Sequence, residues 1–355
     1  MTDYQNLTIT IAGTTYGKEN FCKDALPDFA YKSSFYKELY CFLKDWYSDS
    51  PLLSVQTSGS TGAPKQMQVS KLRMMQSAKL TCSFLQLKPK DKTLLCMSLN
   101  YIAGKMMVVR SLVAGLDLYA MPPDGHPLAN TSNIVFDFSA MIPLQVYNTL
   151  HNETERKQFE KINAIIIGGG AIDEKLEQQL QPLRNHIYSS YGMTETLSHI
   201  ALRKLSGKDA SPYYQPFSSV KLSLSDDNAL IIDAPSVAEQ RLYTNDIAEI
   251  NADGSFRILG RKDNIINSGG IKIQTEEVER LLKPLLDVPF AISTLPHEKF
   301  GEIVALAIEK PIDETLLHNL PKYYQPKKVI LISKIPLTET GKINRKALKE
   351  LLKAG

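Results

Sequence analysis

Apolar and polar positions alternate along the first two thirds of the chain in a way that predicts helices and strands in turn. Residues 31–46 repeat apolar side chains near helical spacing, which predicts a helix. Further helices are predicted over residues 70–87, with Ser70 placed as a cap, and 103–116; strands are predicted over residues 52–55, 93–99, 117–121, 133–138, 164–167 and 186–188. Such alternation favours α/β layers around a largely parallel, buried sheet.

The pattern changes near residue 220, where the predicted strands become short. They cover residues 222–224, 230–233, 248–251 and 256–259, and the turn residues between them indicate an antiparallel β region. After residues 260–263 a small α+β unit is predicted, with strands over residues 271–273, 290–293, 303–309 and 329–332 and helices over residues 276–286 and 345–352. The predicted fold class is α/β: a large N-terminal domain over residues 1–261, with layered α/β sheets and the antiparallel region, and a small α+β domain over residues 262–355.

The composition of the chain argues against several classes of function and location. The chain has 355 residues, a net charge of +3 and 22% charged residues, and no basic tract with interleaved aromatics suggests a nucleic-acid partner. The four cysteines form neither a CxxC pair nor a zinc spacing with histidine, as expected for free thiols in a reducing cytosol. The N-terminus lacks a signal-peptide pattern, and no apolar stretch is long enough to span a membrane. A cytoplasmic location without membrane insertion is predicted.

The run TSGSTGAPK, residues 57–65, is the densest group of candidate phosphate-binding residues. Its glycines let backbone approach a ligand, and its hydroxyl and N–H groups suit phosphate oxygens. Lys65 adds a positive charge. The run is not a Walker loop, because Gln66 stands where that motif needs Ser or Thr. Taken alone, it is equally compatible with a polar surface loop.

Two further candidates follow predicted strands. Gly168 to Ala171 come after an apolar run and offer bare backbone at the carboxyl edge of the sheet, where α/β proteins bind ligands. Residues 189–195, SSYGMTE, offer the aromatic face of Tyr191, the hydroxyl of Thr194 and, in Glu195, an oxygen that suits Mg²⁺. A ligand-free glycine turn and a solvated strand-to-turn segment are the plainer alternatives.

In order along the chain, five stretches resemble the adenylate-forming superfamily of acyl-CoA synthetases, peptide-synthetase adenylation domains and luciferases. They are TSGSTGAPK (57–65), SSYGMTE (189–195), TND (244–246), GRKDNIINSGGIKI (260–273) and PLTETGKINR (336–345). Within the superfamily, YIAGKMMVVRSL (101–112) and YGMTETLSHIAL (191–202) most resemble the bacterial o-succinylbenzoate–CoA ligases of menaquinone synthesis. The resemblance implies a ligase that uses ATP, Mg²⁺ and coenzyme A.

The implied reaction has two steps. A carboxylate attacks the α-phosphate of ATP and expels pyrophosphate, and the thiol of coenzyme A then displaces AMP from the acyl-adenylate. By family position, Thr194 contacts the α-phosphate, Glu195 holds Mg²⁺ and Lys342 bridges carboxylate and phosphate oxygens. The implied ATP- and AMP-binding residues are Thr57, Ser58, Gly59, Ser60, Thr61, Gly62, Lys65, Gly169, Gly170, Ala171, Ser190, Tyr191, Gly192, Asp246 and Arg261. Among them, Gly169 to Ala171 and Ser190-Tyr191 would hold the adenine, and Asp246 and Arg261 would bind the ribose hydroxyls.

The resemblance also implies a moving domain and an acyl pocket. Asp263 matches the hinge about which the small domain rotates, and Ser268, Gly269 and Gly270 match the loop that lines the coenzyme A channel. The acyl pocket falls beside Tyr101, Gly104 and Lys105. Because o-succinylbenzoate keeps a second, unreacted carboxylate, a cation or hydrogen-bond donors must meet it; the candidates are Lys105, Arg110, Ser198 and His199.

Several alternatives stay open. Only about 56 residues precede the phosphate loop, so the resemblance implies an N-terminally shortened large domain, with part of the pocket wall in question. The chain could act on another aryl or acyl acid, charge a carrier protein as a stand-alone adenylation enzyme, or bind nucleotide without catalysis. The expected partners are ATP, coenzyme A and a small carboxylic acid, and the oligomeric state is open.

Overall fold

The computed structural model describes residues 4–22, 26–56, 66–131, 134–338 and 343–354. The strands in these ranges are β1 (Ile9–Ile11), β2 (Thr14–Tyr16), β3 (Leu52–Gln56), β4 (Gln66–Ser70), β5 (Lys92–Leu95), β6 (Asp117–Ala120), β7 (Phe138–Met141), β8 (Ala164–Ile167), β9 (His186–Gly192), β10 (His199–Lys204), β11 (Gln215–Pro216), β12 (Lys221–Leu224), β13 (Ala229–Asp233), β14 (Leu242–Ile250), β15 (Phe256–Arg261), β16 (Ile265–Ser268), β17 (Ile271–Gln274), β18 (Phe290–His297), β19 (Gly301–Ile308) and β20 (Lys328–Leu331).

The helices in the same ranges are α1 (Ser34–Tyr47), α2 (Lys71–Phe84), α3 (Ile102–Ala114), α4 (Pro143–Leu150), α5 (Glu153–Phe159), α6 (Glu174–Leu180), α7 (Thr275–Leu282) and α8 (Arg345–Ala354). The predicted cap of α2 is confirmed, since the Ser70 hydroxyl accepts a hydrogen bond from the Arg73 N–H at 3.4 Å. A helix N-terminus has unpaired N–H groups that such a side chain satisfies. No helix in the described ranges is long and apolar enough to cross a bilayer.

The described residues fall into two compact units. The first holds the residues up to Lys221 together with Asp233–Arg241, and the second holds Leu222–Ile232 and the residues from Leu242 onward. The antiparallel sheet β12-β13-β14-β15 therefore belongs mostly to the C-terminal unit, whereas the sequence analysis assigned it to the large domain. The boundary after residue 261 and the hinge at Asp263 stay predictions.

The first unit is built on a sheet with strand order β11-β10-β9-β8-β7-β5-β6-β1-β2. Its middle strands, from β9 to β1, run parallel, and β10, β11 and β2 add antiparallel edges. Strand β8 is buried at every position, as expected for a strand covered on both faces. The predicted largely parallel, buried sheet is confirmed, and it brings the carboxyl ends of β7, β8 and β9 to one edge.

Several predicted strands differ from the structure: the one over residues 93–99 ends at Leu95, and the one over residues 248–251 is the end of β14, which begins at Leu242. The strand predicted over residues 133–138 is wrong: β7 begins at Phe138, because Asp137 uses its backbone N–H and its carboxylate to bond both backbone groups of Lys92, at 2.8 Å each. Asn133 itself lies outside the described residues. The strand predicted over residues 52–55 exists as β3, but it pairs with β4 in a separate antiparallel ribbon.

The second unit carries the small α+β region that the sequence predicts. Its sheet has the order β17-β16-β19-β18, with β20 paired to β19. Buried apolar residues of α7, including Val278 and Leu282, pack on one face, and Leu348 and Leu352 of α8 pack with Ala291 and Ala305. Both faces of the sheet are therefore covered by helices.

Candidate active site

The Gly168 loop and strand β9 meet at the carboxyl edge of the main sheet. Gly168 donates its N–H to the Met141 carbonyl of β7 at 3.0 Å, and the Ser190 hydroxyl donates to the Ile167 carbonyl of β8 at 3.3 Å. A Cβ on Gly168 would lie 2.5 Å from the Ser190 oxygen, so a side chain there would displace the Ser190 hydroxyl. The structure thus brings together two of the segments predicted to hold the adenine.

The turn that carries Thr194 and Glu195 follows β9 directly. It forms a short 3₁₀ segment over Thr194–Thr196, with Glu195 exposed and Thr194 half-buried. The fully buried Thr196 fixes it: its hydroxyl contacts the Met193 N–H at 3.0 Å and the Ser198 carbonyl at 2.7 Å. No role was predicted for Thr196, although it lies within residues 191–202, the stretch that resembles the o-succinylbenzoate–CoA ligases. Its side chain holds the two predicted catalytic residues at the sheet edge.

The acyl-pocket candidates lie at the start of α3. Tyr101 precedes the helix and forms an isolated parallel bridge with Gln56, the last residue of β3. Lys105 donates from Nζ to the Ser54 carbonyl at 2.9 Å, and burial lowers its pKa. Gly104 is buried against the backbone of Ser98, and a side chain there would clash with the Ser98 carbonyl. The first turn of α3 therefore packs beside the strand that leads into residue 57.

A second polar group lies deeper in the same unit. The Arg110 guanidinium donates from Nη2 to the Ser198 hydroxyl at 2.6 Å, and Ser198 lies 3.3 Å from Nδ1 of His199. The other ring nitrogen, Nε2, lies 3.0 Å from the Thr81 hydroxyl on α2. Three of the predicted acid-binding residues are therefore joined in one network. Thr81, which contacts the Nε2 atom of His199, was not predicted, because it lies 118 residues away in the sequence and no motif links the two residues.

The network predicts a pH dependence of stability. Burial and the nearby charge of Arg110 hold the pKa of His199 well below its ordinary 6.5. The folded state keeps the imidazole neutral while the unfolded chain protonates it below that value, so stability falls as the pH drops from about 6.5 toward the folded-state pKa.

We expect the free energy of unfolding to fall more steeply with decreasing pH in the wild type than in His199→Gln. The difference should approach about 1.4 kcal/mol per pH unit for one proton. Urea unfolding at several pH values between about 6.5 and 5 measures both slopes. Parallel slopes would show that His199 carries no such coupling.

In the second unit, Asp246 and Arg261 are cross-strand partners on β14 and β15. Arg261 donates from Nη1 to Asp246 at 3.0 Å and from Nη2 to Asp263 at 2.7 Å. The Asn245 amide also donates to both oxygens of Asp263, at 3.1 and 3.2 Å. The predicted ribose-binding pair and the predicted hinge residue therefore form one ion-pair cluster.

The loop predicted to line the coenzyme A channel is the tight turn between β16 and β17. Ser268 pairs with Ile271 across it, and Gly269 and Gly270 have φ of +59° and +84°. Positive φ at both central positions is the conformation of a type I′ hairpin turn, which favours glycine. Gly269 also donates its N–H to the Phe300 carbonyl at 2.9 Å. The role of this turn toward coenzyme A stays a prediction.

The described residues on both sides of 339–342 make tertiary contacts. Leu337 and Ile343 form an isolated antiparallel bridge, and Arg345 at the start of α8 makes a two-pronged ion pair with Glu279 of α7, at 2.7 and 2.6 Å. Arg345 also bonds the Ile292 carbonyl at 2.8 Å. Arg345 had no predicted role within the motif of residues 336–345; in the structure it anchors the start of α8, three residues after Lys342.

Two predicted segments lie outside the described residues. These are the whole phosphate-loop run, residues 57–65, and Lys342. The flanking strands β3 and β4 pair from Leu52 with Ser70 to Gln56 with Gln66, so the ends of the loop are adjacent. The roles of residues 57–65 and of Lys342 stay predictions.

Glu195 fits a magnesium ion that is shared with a nucleotide. In the described part of the chain, no three His, Cys, Asp or Glu side chains group as a metal site. Mg²⁺ is commonly held by one or two carboxylates together with substrate phosphates and water. One exposed carboxylate at the sheet edge suits that mode and does not suit an all-protein cage.

The family model for AMP-binding enzymes matches residues 30–238, which is more than half of the chain. The chain belongs to the AMP-binding enzyme family. Among solved structures, an acyl-CoA synthetase (AMP-forming)/AMP-acid ligase II-like protein from Dyadobacter fermentans is 30% identical to it, with a TM-score of 0.65, over 94% of this chain and 97% of that one. The superfamily resemblance read from the five motifs is therefore confirmed.

Other members of the AMP-binding family bear a more specific name. A 2-succinylbenzoate–CoA ligase from Listeria monocytogenes is 25% identical over 344 residues, 87% of this chain and 72% of the relative. The o-succinylbenzoate CoA synthetase of Bacillus subtilis, solved with its acyl-adenylate intermediate, has a TM-score of 0.70 at 22% identity, over 83% of this chain and 68% of that one. The likeness to the Bacillus subtilis structure concerns the fold alone, and it confirms the predicted α/β fold.

Proposed function

We propose that this member of the AMP-binding enzyme family is an acid–CoA ligase that activates o-succinylbenzoate with ATP and transfers it to coenzyme A. The observation that carries the chemistry is that Ser190 of β9 contacts the Ile167 carbonyl just before Gly168, and that the Thr194–Thr196 turn follows β9 at the same sheet edge. The acid is proposed because relatives across most of the chain bear the name 2-succinylbenzoate–CoA ligase.

In the first step, an oxygen of the substrate carboxylate attacks the α-phosphorus of ATP, and the bond to the β-phosphate bridging oxygen breaks to release pyrophosphate. The substrate carboxylate is an anion and ATP is a polyanion, so positive charges and hydrogen-bond donors must face the negative charge that develops in the transition state. Thr194 donates to the α-phosphate and Lys342 contacts both reactants. Glu195 would hold Mg²⁺, which would neutralise phosphate charge.

The proposed nucleoside-binding residues are those that the family motifs imply. Backbone of Gly169 to Ala171 and the ring of Tyr191 bind the adenine, and the Tyr191 ring lies 5.9 Å from that of Tyr214. Asp246 accepts hydrogen bonds from the ribose hydroxyls, and Arg261, 3.0 Å away, orients its carboxylate.

In the second step, the coenzyme A thiolate attacks the acyl carbonyl and AMP leaves. The turn at Gly269 and Gly270 has no side chains, which suits a wall of the narrow pantetheine channel. A rotation of the small domain about Asp263 moves Lys342 away from the reacting centre and brings this turn to it.

The proposal is tested by AMP formation from ATP, coenzyme A and a panel of acids: o-succinylbenzoate, other substituted benzoates and short fatty acids. We expect kcat/KM to be highest for o-succinylbenzoate and AMP formation to need the thiol. Turnover of another acid with coenzyme A would keep the reaction and change the substrate. AMP formation that needs a carrier protein, or none with any acid, would overturn the proposal.

A further inference from the structure

The order of the strands in the main sheet reverses at β5. Strand β5 lies between β6 and β7 and pairs in parallel with both, and the two ladders end at Leu95, opposite Ala120 and Ala140. In open α/β sheets, ligands bind outside the carboxyl ends of the strands at such a reversal. The segments that follow β5, β6 and β7 therefore border a position where such sheets bind ligands.

One buried side chain, that of Gln145 on α4, joins these three segments. Its Nε2 donates to the carbonyl of Cys96, just after β5, at 2.8 Å and to the carbonyl of Asp124, in the loop after β6, at 2.9 Å. Its Oε1 accepts from the N–H of Ile142, just after β7, at 3.2 Å. Gln145 is 3% exposed, and its amide uses both donors and its acceptor on backbone groups of the protein.

Ile142 and Pro143 lie against the glycine loop that is proposed to bind the adenine. A Cβ built on Gly169 would lie 3.4 Å from Cγ2 of Ile142. A Cβ built on Gly170 would lie 3.5 Å from Cγ of Pro143. The backbone of the loop therefore packs on the residue that Gln145 holds, and a shift of Ile142 would move the backbone that is proposed to contact the base.

The two carbonyls that Gln145 bonds have other contacts that hold their segments in place. Cys96 is fully buried, and its Sγ lies 3.6 Å from the Ala140 carbonyl of β7. The loop after β6 is also tied to α4 by Asn148, whose Nδ2 donates to the Gly125 carbonyl at 3.1 Å. Loss of the Gln145 amide would therefore leave these two anchors in place and release the residues that support the glycine loop.

A plainer role for Gln145 is that of a helix cap. Its bond with the Ile142 N–H closes the first turn of α4, and a glutamine at this position of a helix commonly reaches back in this way. A cap needs only the acceptor oxygen, whereas the Gln145 amide also uses both of its N–H donors on segments outside α4. A glutamate at this position would keep the acceptor and lose the donors, so substitution can separate the two roles.

We propose that Gln145 is a positioning residue that ties the adenine-binding loop to the neighbouring strand ends and thereby sets the preference for adenine. This inference rests on the proposed ligase function. The side chain acts through Ile142 on the backbone of Gly169 and Gly170. Its loss should weaken the contacts to the base and leave the contacts to the ribose and the triphosphate, which come from other segments.

The test compares ATP with GTP, which share the ribose and the triphosphate and differ in the base. Dissociation constants are measured by titration calorimetry with Mg²⁺ and without acid, in the wild type and in Gln145→Met, which nearly keeps the side-chain volume and removes its hydrogen bonds. We expect the wild type to prefer ATP. In Gln145→Met the dissociation constant for ATP should rise about tenfold, as for one lost hydrogen bond to the base, while that for GTP should stay nearly unchanged.

Two further variants separate this role from the plainer ones. Gln145→Glu keeps the acceptor for the Ile142 N–H, so a cap alone would leave the ATP preference as in the wild type; we expect the same loss of preference as in Gln145→Met. Asn185→Leu is the matched control. It removes another buried amide, which donates to the Phe159 carbonyl at 2.7 Å and lies at the amino end of β9, and it should keep the preference for ATP.

The ratio of the two dissociation constants is taken on one sample, so partial unfolding of a variant does not change it. If Gln145→Met does not fold, Gln145→Glu carries the same comparison. Equal weakening of ATP and GTP, or an unchanged preference in a folded Gln145 variant, would overturn the inference. If the wild type binds neither nucleotide, the proposed function fails first; if it prefers ATP and both Gln145 variants keep that preference, only this inference fails.

Discussion

Replacing Lys342 by alanine is expected to slow acyl-adenylate formation by at least about a hundredfold. A donor aimed at charge that develops in the transition state contributes about 3–4 kcal/mol, and the family position of Lys342 puts it between carboxylate and α-phosphate. The rate is measured as acid-dependent pyrophosphate release in the absence of coenzyme A. Conversion of synthetic acyl-adenylate to thioester should stay within a few-fold of the wild type.

The matched control is Lys346→Ala. Lys346 lies on α8, four residues further along the chain, and is exposed, so its loss removes the same charge without touching the motif. Its rates should equal those of the wild type. If Lys342→Ala slowed both half-reactions alike, or neither, the role assigned to Lys342 in adenylation would be wrong.

Replacing Gly270 by leucine is expected to impair thioester formation while sparing adenylation. Gly270 has φ of +84° and open space at the position of a Cβ, so the side chain would extend from the turn into the space proposed for pantetheine. A displacement of about 1 Å at a reacting centre can cost about a hundredfold in rate. The two half-reactions are measured separately, with the acyl-adenylate supplied for the second.

Gly254→Leu separates strain in the backbone from a role at the channel. Gly254 has φ of +83° and the same open surroundings, but it lies in the turn between β14 and β15. Both variants place leucine at the same unfavourable φ, and they should lose similar stability. Only Gly270→Leu should lose thioester formation; equal losses in the two variants would refute the channel assignment.

Much of the fold could be predicted because several elements have a clear pattern of apolar and turn residues in their own sequence. Residues 164–167 are four consecutive apolar residues before glycines, and they are strand β8 with the same bounds. Strands β1 and β2, by contrast, have three residues each, too few for a periodic pattern. Strand β7 was misplaced because Asp137 bonds both backbone groups of Lys92 just before the strand begins, with its own N–H and its carboxylate.

The site was predicted through its motifs, and what was missed depends on tertiary contacts. Thr196 looks like an ordinary hydroxyl in the sequence, and its role appears only when Met193 and Ser198 are seen beside it. Arg110 stood as one of several possible cations. Its place in a buried network with Ser198 and His199 is visible only in the structure, and no sequence pattern reports it.

The central claim, that this chain joins an acid to coenzyme A through an acyl-adenylate, is tested most directly by product stoichiometry. The purified chain is incubated with ATP, Mg²⁺, o-succinylbenzoate and coenzyme A, and AMP, pyrophosphate and the thioester are quantified by mass spectrometry. The account predicts one AMP and one pyrophosphate for each o-succinylbenzoyl-CoA, and enzyme-bound adenylate with pyrophosphate when coenzyme A is omitted. Formation of ADP, or thioester without AMP, would contradict it.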